Sequence, residues 1–224
     1  MTRSYYPQAN RGRTAGTLVL LMLLASSYAG PATAQDVLQV SFSEPDRPMR
    51  VVVRTIYGDI QVAPHSESNV VVEVASRPRG TSHVDDGDRE GLRSIDQGPN
   101  ISIGENDNTV YVKSGSEDLF TDLIVRVPRS AAIAAHVTGD GDILIQGATE
   151  EVETNAANGK ITLENVSGPV VAHAHAGALK ATFSDIPPGA PMAFSAWSGD
   201  VDVTFPETLA ARLKMRTDYG QILS

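Results

Sequence analysis

The chain has no cysteine in its 224 residues. Disulfides, a lipid-modified N-terminal cysteine and a cysteine nucleophile are therefore excluded, and burial and hydrogen bonding alone must hold the fold. Aromatic residues make up only 5% and include one tryptophan, Trp197, so a single exposed indole would stand out. Basic charge is also short: 18 Lys+Arg stand against 27 Asp+Glu, for a net charge of -9. Such an acidic chain keeps itself soluble and is a poor partner for nucleic acid or anionic lipid. No Gly-x-Ser-x-Gly motif, phosphate loop or metal-protease motif occurs, which removes the usual sequence handles on catalysis. Amphipathic helical periodicity is nearly absent too. Strands are what is left.

The N-terminus reads as a leader. Arg3, Arg11 and Arg13 precede an apolar run from Ala15 to Ala25, and Ala32-Thr33-Ala34 supplies a small-x-small cleavage pattern before Gln35. The run is too short to span a bilayer, so residues 1–34 are expected to be a secretory signal peptide cleaved after Ala34. The product would be exported, periplasmic or extracellular, with no transmembrane span after cleavage. Losing three arginines moves the net charge from -9 to about -12.

Residues 35–127 read as an N-terminal strand region. Arg50 to Tyr57 and Asn69 to Val74 are rich in β-branched residues and bounded by breakers, as strands are. Ile101 to Ile103 and Thr109 to Val112 flank Glu105-Asn106-Asp107-Asn108, a hairpin signal. From Pro78 to Pro99 the composition turns to Gly, Ser, Asp and Arg without an apolar period, which predicts a mobile loop over residues 78–99. Asp122 to Val127 alternates and stops at Pro128.

Residues 128–224 carry a repeat, a glycine followed two residues later by an aliphatic side chain. The copies start at Gly141, Gly159, Gly177, Gly199 and Gly220, with an outlying one at Gly58. Steps of 18, 18, 22 and 21 residues between consecutive glycines from 141 to 220 are the period of a solenoid. Two positions after the glycine come Ile143, Ile161, Leu179, Val201 and Ile222; four after come Ile145, Leu163, Ala181, Val203 and Ser224. Three before come Thr138, Ala156, Ala174, Ala196 and Thr217, all small. Strand side chains alternate between faces, so these columns are expected to stack inside while the residues between them meet solvent.

Each copy also has a second apolar stretch, at Val152, at Val170, at Met192 with Phe194, and from Leu209 to Met215. The expected fold is all-β, a short parallel β-solenoid of two sheets with coils of about 20 residues. A small strand and hairpin part precedes it and shares one continuous core. Pro206 is expected to start a single turn. Beyond it Leu213 and Met215 alternate with Arg212, Lys214 and Arg216, which predicts a last strand. Its basic row would discourage other chains from pairing at an open end.

The candidate site residues all lie between the inner columns. Asp140, Asp142, Asp200 and Asp202 form an acidic ladder interrupted by Lys160 and Ala178; outward carboxylates of this kind can bind calcium or act as an acid/base pair. The tandem paired-glycine nonapeptides of a calcium β-roll are missing, so a solvated face is the expectation. His173 and His175 share a face, but no third ligand falls in their columns before Asp218, so no metal is expected. His65, His83 and His136 are scattered. Trp197 falls in an outward column with His175 on one side and Asp218 on the other, where an indole can stack on a sugar or anchor an interface. Those three, with Asp140, Asp142, Asp200 and Asp202, are the ligand-contact candidates.

The run from Leu123 to Leu163, a strand ending in Val127-Pro128 and then Gly-Asp-Ile units, resembles a bacterial family. Its members are exported β-solenoid proteins grouped as a domain of unknown function and often labelled candidate adhesins. The resemblance covers roughly residues 50 to 224. It implies the solenoid fold and an interaction role, and brings no catalytic residues. Nearly every regular feature is spent on stacking, so the expected function is a non-enzymatic envelope or surface module for a protein or glycan, without cofactor. Two other readings stand beside it. One is a carbohydrate-active or carbohydrate-binding solenoid using the acidic face; the other is a self-assembling element pairing through its C-terminal edge.

Overall fold

The computed structural model describes residues 36–79, 101–115, 117–209 and 211–223. The chain divides into two units, Met1–Thr33 and Ala34–Ser224, and every described residue belongs to the second. The expected leader, residues 80–99 of the expected loop with His83, and Ser224 of the inner column lie outside the described residues.

The described residues form strands and no helix. One sheet runs in the order β1 (Asp36–Ser41), β4 (Asn69–Pro78), β7 (Leu119–Pro128), β3 (Ile60–His65), β9 (Ile143–Gln146), β11 (Ile161–Val166), β13 (Leu179–Phe183), β15 (Val201–Thr204). The other runs β14 (Met192–Ser198), β12 (Val170–Ala176), β10 (Val152–Asn158), β8 (Ala131–Asp140), β2 (Met49–Thr55), β6 (Thr109–Ser114), β5 (Ile101–Asn106). Within the stack neighbours are parallel and in register, for example Ile161 between Ile143 and Leu179. The fold is the two-sheet β-solenoid that the columns predict.

The N-terminal strands do not simply precede the repeats. β6–β7 and β2–β3 are themselves coils, and β2–β3 sits between β6–β7 and β8–β9. The outlying Gly58 copy is thus the immediate neighbour of the Gly141 copy. The chain leaves coil β2–β3, builds the coil beyond it, and returns past both. Columns decide this placement: Ile60 and Val62 match Ile143 and Ile145 in register and all four are buried.

The glycines permit the stacking. At Gly159 φ is 149°, a conformation that L side chains rarely adopt, and an added Cβ would lie 2.1 Å from the Gly141 carbonyl oxygen. The same approach recurs from Gly141 to Gly58, from Gly177 to Gly159 and from Gly199 to Gly177. Each coil therefore turns its corner directly on the backbone of the one before.

Two inner-column assignments need correcting. Thr138 is exposed and Val137 takes its place, paired with Ala156, because β8 carries a register shift just before Gly141. Gly139 makes room there, since a Cβ on it would strike the Tyr57 ring. The second correction is larger. Residues 211–223 contain no strand, and Leu213, Met215 and Ile222 are exposed. Arg212, Lys214 and Arg216 are consequently not on a strand either. The turn after Pro206 is present, with Leu209 N–H donating to the Pro206 carbonyl at 3.1 Å.

Candidate functional site

On the outer face of the second sheet, side chains line up across strands. Arg54, His136, Asn155, His173 and Ser195 form one row, and Glu153, Val171 and Ala193 another. Over β2 and β8 this face is covered. Arg50 reaches across β8 to Glu153 at 2.8 Å, and Val52 and Ala134 beneath are buried although they point outward. Burial, helped by the Arg54 charge, lowers the pKa of His136 below its ordinary 6.5.

Over β10, β12 and β14 the face is bare. The sequence Val170-Val171-Ala172-His173-Ala174-His175 alternates, so Val170, Ala172 and Ala174 enter the core while Val171 and the histidines face out. Val171 is 48% exposed and Trp197 80%. The Trp197 indole lies nearly parallel to the His175 ring, centroids 6.2 Å apart at 13°, an offset stack. Beside them the His173 Nδ1 is 2.7 Å from the Ser195 hydroxyl, which fixes that imidazole. The result is a flat aromatic and imidazole platform on three paired strands, rimmed by Asn155 and Ser195.

Sequence reasoning reached His175 and Trp197 and their adjacency. Asp218 is elsewhere in the structure: it accepts from Arg216 Nε and a guanidinium nitrogen at 3.1 and 2.8 Å, within the segment that has no strand.

The acidic ladder is split along the stack. Asp59 accepts from Asp142 N–H at 2.8 Å, and Asp142 from Lys160 N–H at 2.9 Å. The Asp142 carboxylate also pairs with the Lys160 ammonium at 3.1 Å. Asp140 accepts from the Asn158 side chain at 3.1 Å. These carboxylates tie one coil corner to the next, a role that spacing alone did not reveal. Asp200 and Asp202 are exposed three coils away, about 14 Å along the stack. A hydrolytic carboxylate pair needs roughly 5 to 9.5 Å. The described residues contain no group of three His, Asp or Glu able to hold a metal.

Concave spaces lie away from the platform. One of about 400 Å³ is lined by Thr162, Glu164, Asn165, Lys180 and Thr182, another of about 530 Å³ by Pro45 to Met49 with Glu150 and Glu151. Also unforeseen is a stack at the Gly58 corner, where the Arg79 guanidinium sits 3.5 Å above the Tyr57 ring and Arg77 4.9 Å above Phe120. Nothing in the spacing of these four residues signals it.

The chain belongs to the Toastrack family, DUF4097, whose model matches residues 51–224. Among solved structures it is similar to a candidate cell-adhesion protein of Clostridium sporogenes, at 9% identity and a TM-score of 0.47 over 77% of this chain and 100% of that one. A candidate adhesin of Bacteroides fragilis matches at 9% identity and TM-score 0.34, over 79% of this chain and 99% of that one. One from Parabacteroides distasonis matches at 14% and 0.30, over 75% and 69%. No functionally curated protein matches the chain.

Proposed function

We propose that the protein is a non-enzymatic, exported module of the cell envelope that binds a protein or glycan through the β10–β12–β14 face. Trp197 and His175 form the contact centre. The observation that carries this reading is the bare indole: the only tryptophan stands 80% exposed on a paired strand. A ring of that size left in water forgoes about 2 kcal/mol of burial, which a ligand can recover. The platform is rigid and flat, with imidazole, amide and hydroxyl groups at its rim, a composition suited to a sugar ring or to an aromatic or arginine side chain. Export rests on the leader pattern of residues 1–34. The reading as a glycan-cleaving enzyme is disfavoured by the separation of the acidic pairs and by the bonding of Asp142 to the next corner.

The test is a glycan array followed by whole-cell binding with the exported chain. Trp197→Ala is expected to weaken whatever binding is found roughly ten-fold, and His175→Ala less. Binding unchanged by Trp197→Ala would place the ligand on another face.

A further inference from the structure

We infer that residues 211–223 are a terminal repeat coil that docks on β14 and β15 and extends the Trp197 face. Four observations converge on this occupant.

The first is the uncovered end. Val201 is exposed, and Met192, Phe194 and Val203 are only partly buried, whereas Ile161, Leu163, Leu179 and Ala181 are fully buried one and two coils in. The second is the register. Leu213, Met215, Thr217, Gly220 and Ile222 each follow Met192, Phe194, Ala196, Gly199 and Val201 by 21 residues, so the apolar pattern of β14 and the first inward position of β15 are both continued. The connection also fits. Thr204 is in register with Thr182, and the step from Thr204 to Leu213 is nine residues where that from Thr182 to Met192 is ten. Both carry a proline turn, Leu209 N–H to Pro206 at 3.1 Å and Ala190 N–H to Pro187 at 3.2 Å.

The third is that the corner of this coil is already formed. Gly220 has φ 126°, within the 120° to 154° of the ladder glycines from Gly58 to Gly199. Just ahead of it the Thr217 hydroxyl donates to the Tyr219 carbonyl at 2.9 Å, as the Thr55 hydroxyl donates to the Tyr57 carbonyl at 3.0 Å ahead of Gly58. Thr-x-Tyr-Gly thus adopts the repeat's corner in the segment before any neighbour is stacked on it. The fourth is the backbone series. Gly177 N–H donates to the Ser198 carbonyl and Leu179 N–H to that of Asp200, both at 2.8 Å. The next members would be Gly199 to Tyr219 and Val201 to Gln221.

The segment brings Arg212, Lys214 and Arg216 to an acidic body, so charge favours its approach. Once docked, Arg216 lies beside Ser195 and Asp218 beside Trp197. The bare platform gains a charged border, and a ligand with both signs of charge, such as a peptide or an amino sugar with a carboxylate, becomes the better fit. That specificity rests on the ligand face proposed above; the docking does not, because its test reads pairing rather than binding.

Ala193→Cys with Lys214→Cys puts two thiols across the expected pair in a chain with no other cysteine. Strand spacing of about 4.8 Å falls in the range a disulfide spans. Mild oxidation of the full chain is expected to close this disulfide within one molecule roughly ten-fold faster than in Ala193→Cys with Asp218→Cys, which is out of register. Adding Leu213→Asp with Met215→Asp should abolish the difference while the circular dichroism of the strands persists. In the cysteine-free chain the same two aspartates should make Trp197 fluorescence about two-fold easier to quench with acrylamide. Equal oxidation rates for the two pairs would mean that the segment stays free. Disulfide-linked dimers as the main product would assign the end to a second copy. Either result overturns the proposal.

Discussion

The two ends of the stack are finished in different ways. At the first the chain reverses: β4 runs antiparallel to β7 and β1 antiparallel to β4, and β5 runs antiparallel to β6. Phe42 is buried there, and Asn108 locks the connection between β1 and β2. The Asn108 side chain donates to the carbonyls of Arg47 and Pro48 at 3.2 and 3.0 Å and accepts from Glu44 N–H at 3.1 Å. At the other end β14 and β15 are the last strands of their sheets, with inner columns running out to solvent. A parallel coil presents to the next the same edge it covers on the last, so pairing of this kind has no internal stop. Reversal of the chain supplies the stop at one end. The other end is where this molecule is open to a coil or a ligand.

The largest expected contrast is between an interior glycine and one near the open end. Gly159→Ala should prevent folding or cost more than about 4 kcal/mol, since both the conformation and the Gly141 carbonyl oppose a Cβ. Gly189→Ala, with positive φ but open space around it, should cost about 1 kcal/mol. Thermal melts of the two variants decide it. Next, Leu163→Ala should lose about 2 to 5 kcal/mol of stability in urea, and Val201→Ala less than about 1 kcal/mol. A loss at Val201 as large as at Leu163 would mean that the end is covered more fully than by one labile coil.

Asn108→Ala probes the closed end alone. It removes three hydrogen bonds from a buried, left-handed turn residue with φ 57°, at an expected cost of about 2 kcal/mol. Hydrogen exchange should then rise in β5 and in the β1–β2 connection and stay unchanged in β12. The smallest effect concerns His136, which burial and then Arg54 keep below its ordinary 6.5, with Glu153 opposing. An unfolded histidine takes up its proton near 6.5 while the folded one resists. Its contribution is therefore complete above that value and is lost as pH falls toward the lower folded pKa. Wild type should lose more stability than His136→Gln between neutral and mildly acidic pH, as read from urea midpoints.

The interior of the stack was legible in the sequence because one rule repeats there. Ile143, Ile161 and Leu179 alternate with polar residues at a fixed distance from a glycine, and period two settles which way each faces. His175 and Trp197 follow from the same rule. The insertion of β2–β3 into the stack was not legible, since the partner of a strand is set by distant columns that several orders of coils would satisfy. β1 was missed because Asp36–Ser41 is short and lies outside the repeat. Gly139 and Gly141 offered two alignments of one corner, and the register shift selects the one that buries Val137. At the open end, pattern tells which columns Leu213, Met215 and Ile222 match, and a matching pattern is equally compatible with a docked and an undocked segment.

Hydrogen exchange at the Gly199 and Val201 amides tests most directly whether residues 211–223 close this end. In the full chain both amides are predicted to exchange roughly ten-fold more slowly than in the variant with Leu213→Asp and Met215→Asp, with β1 and β4 unchanged. Equal exchange in the two proteins would contradict the account.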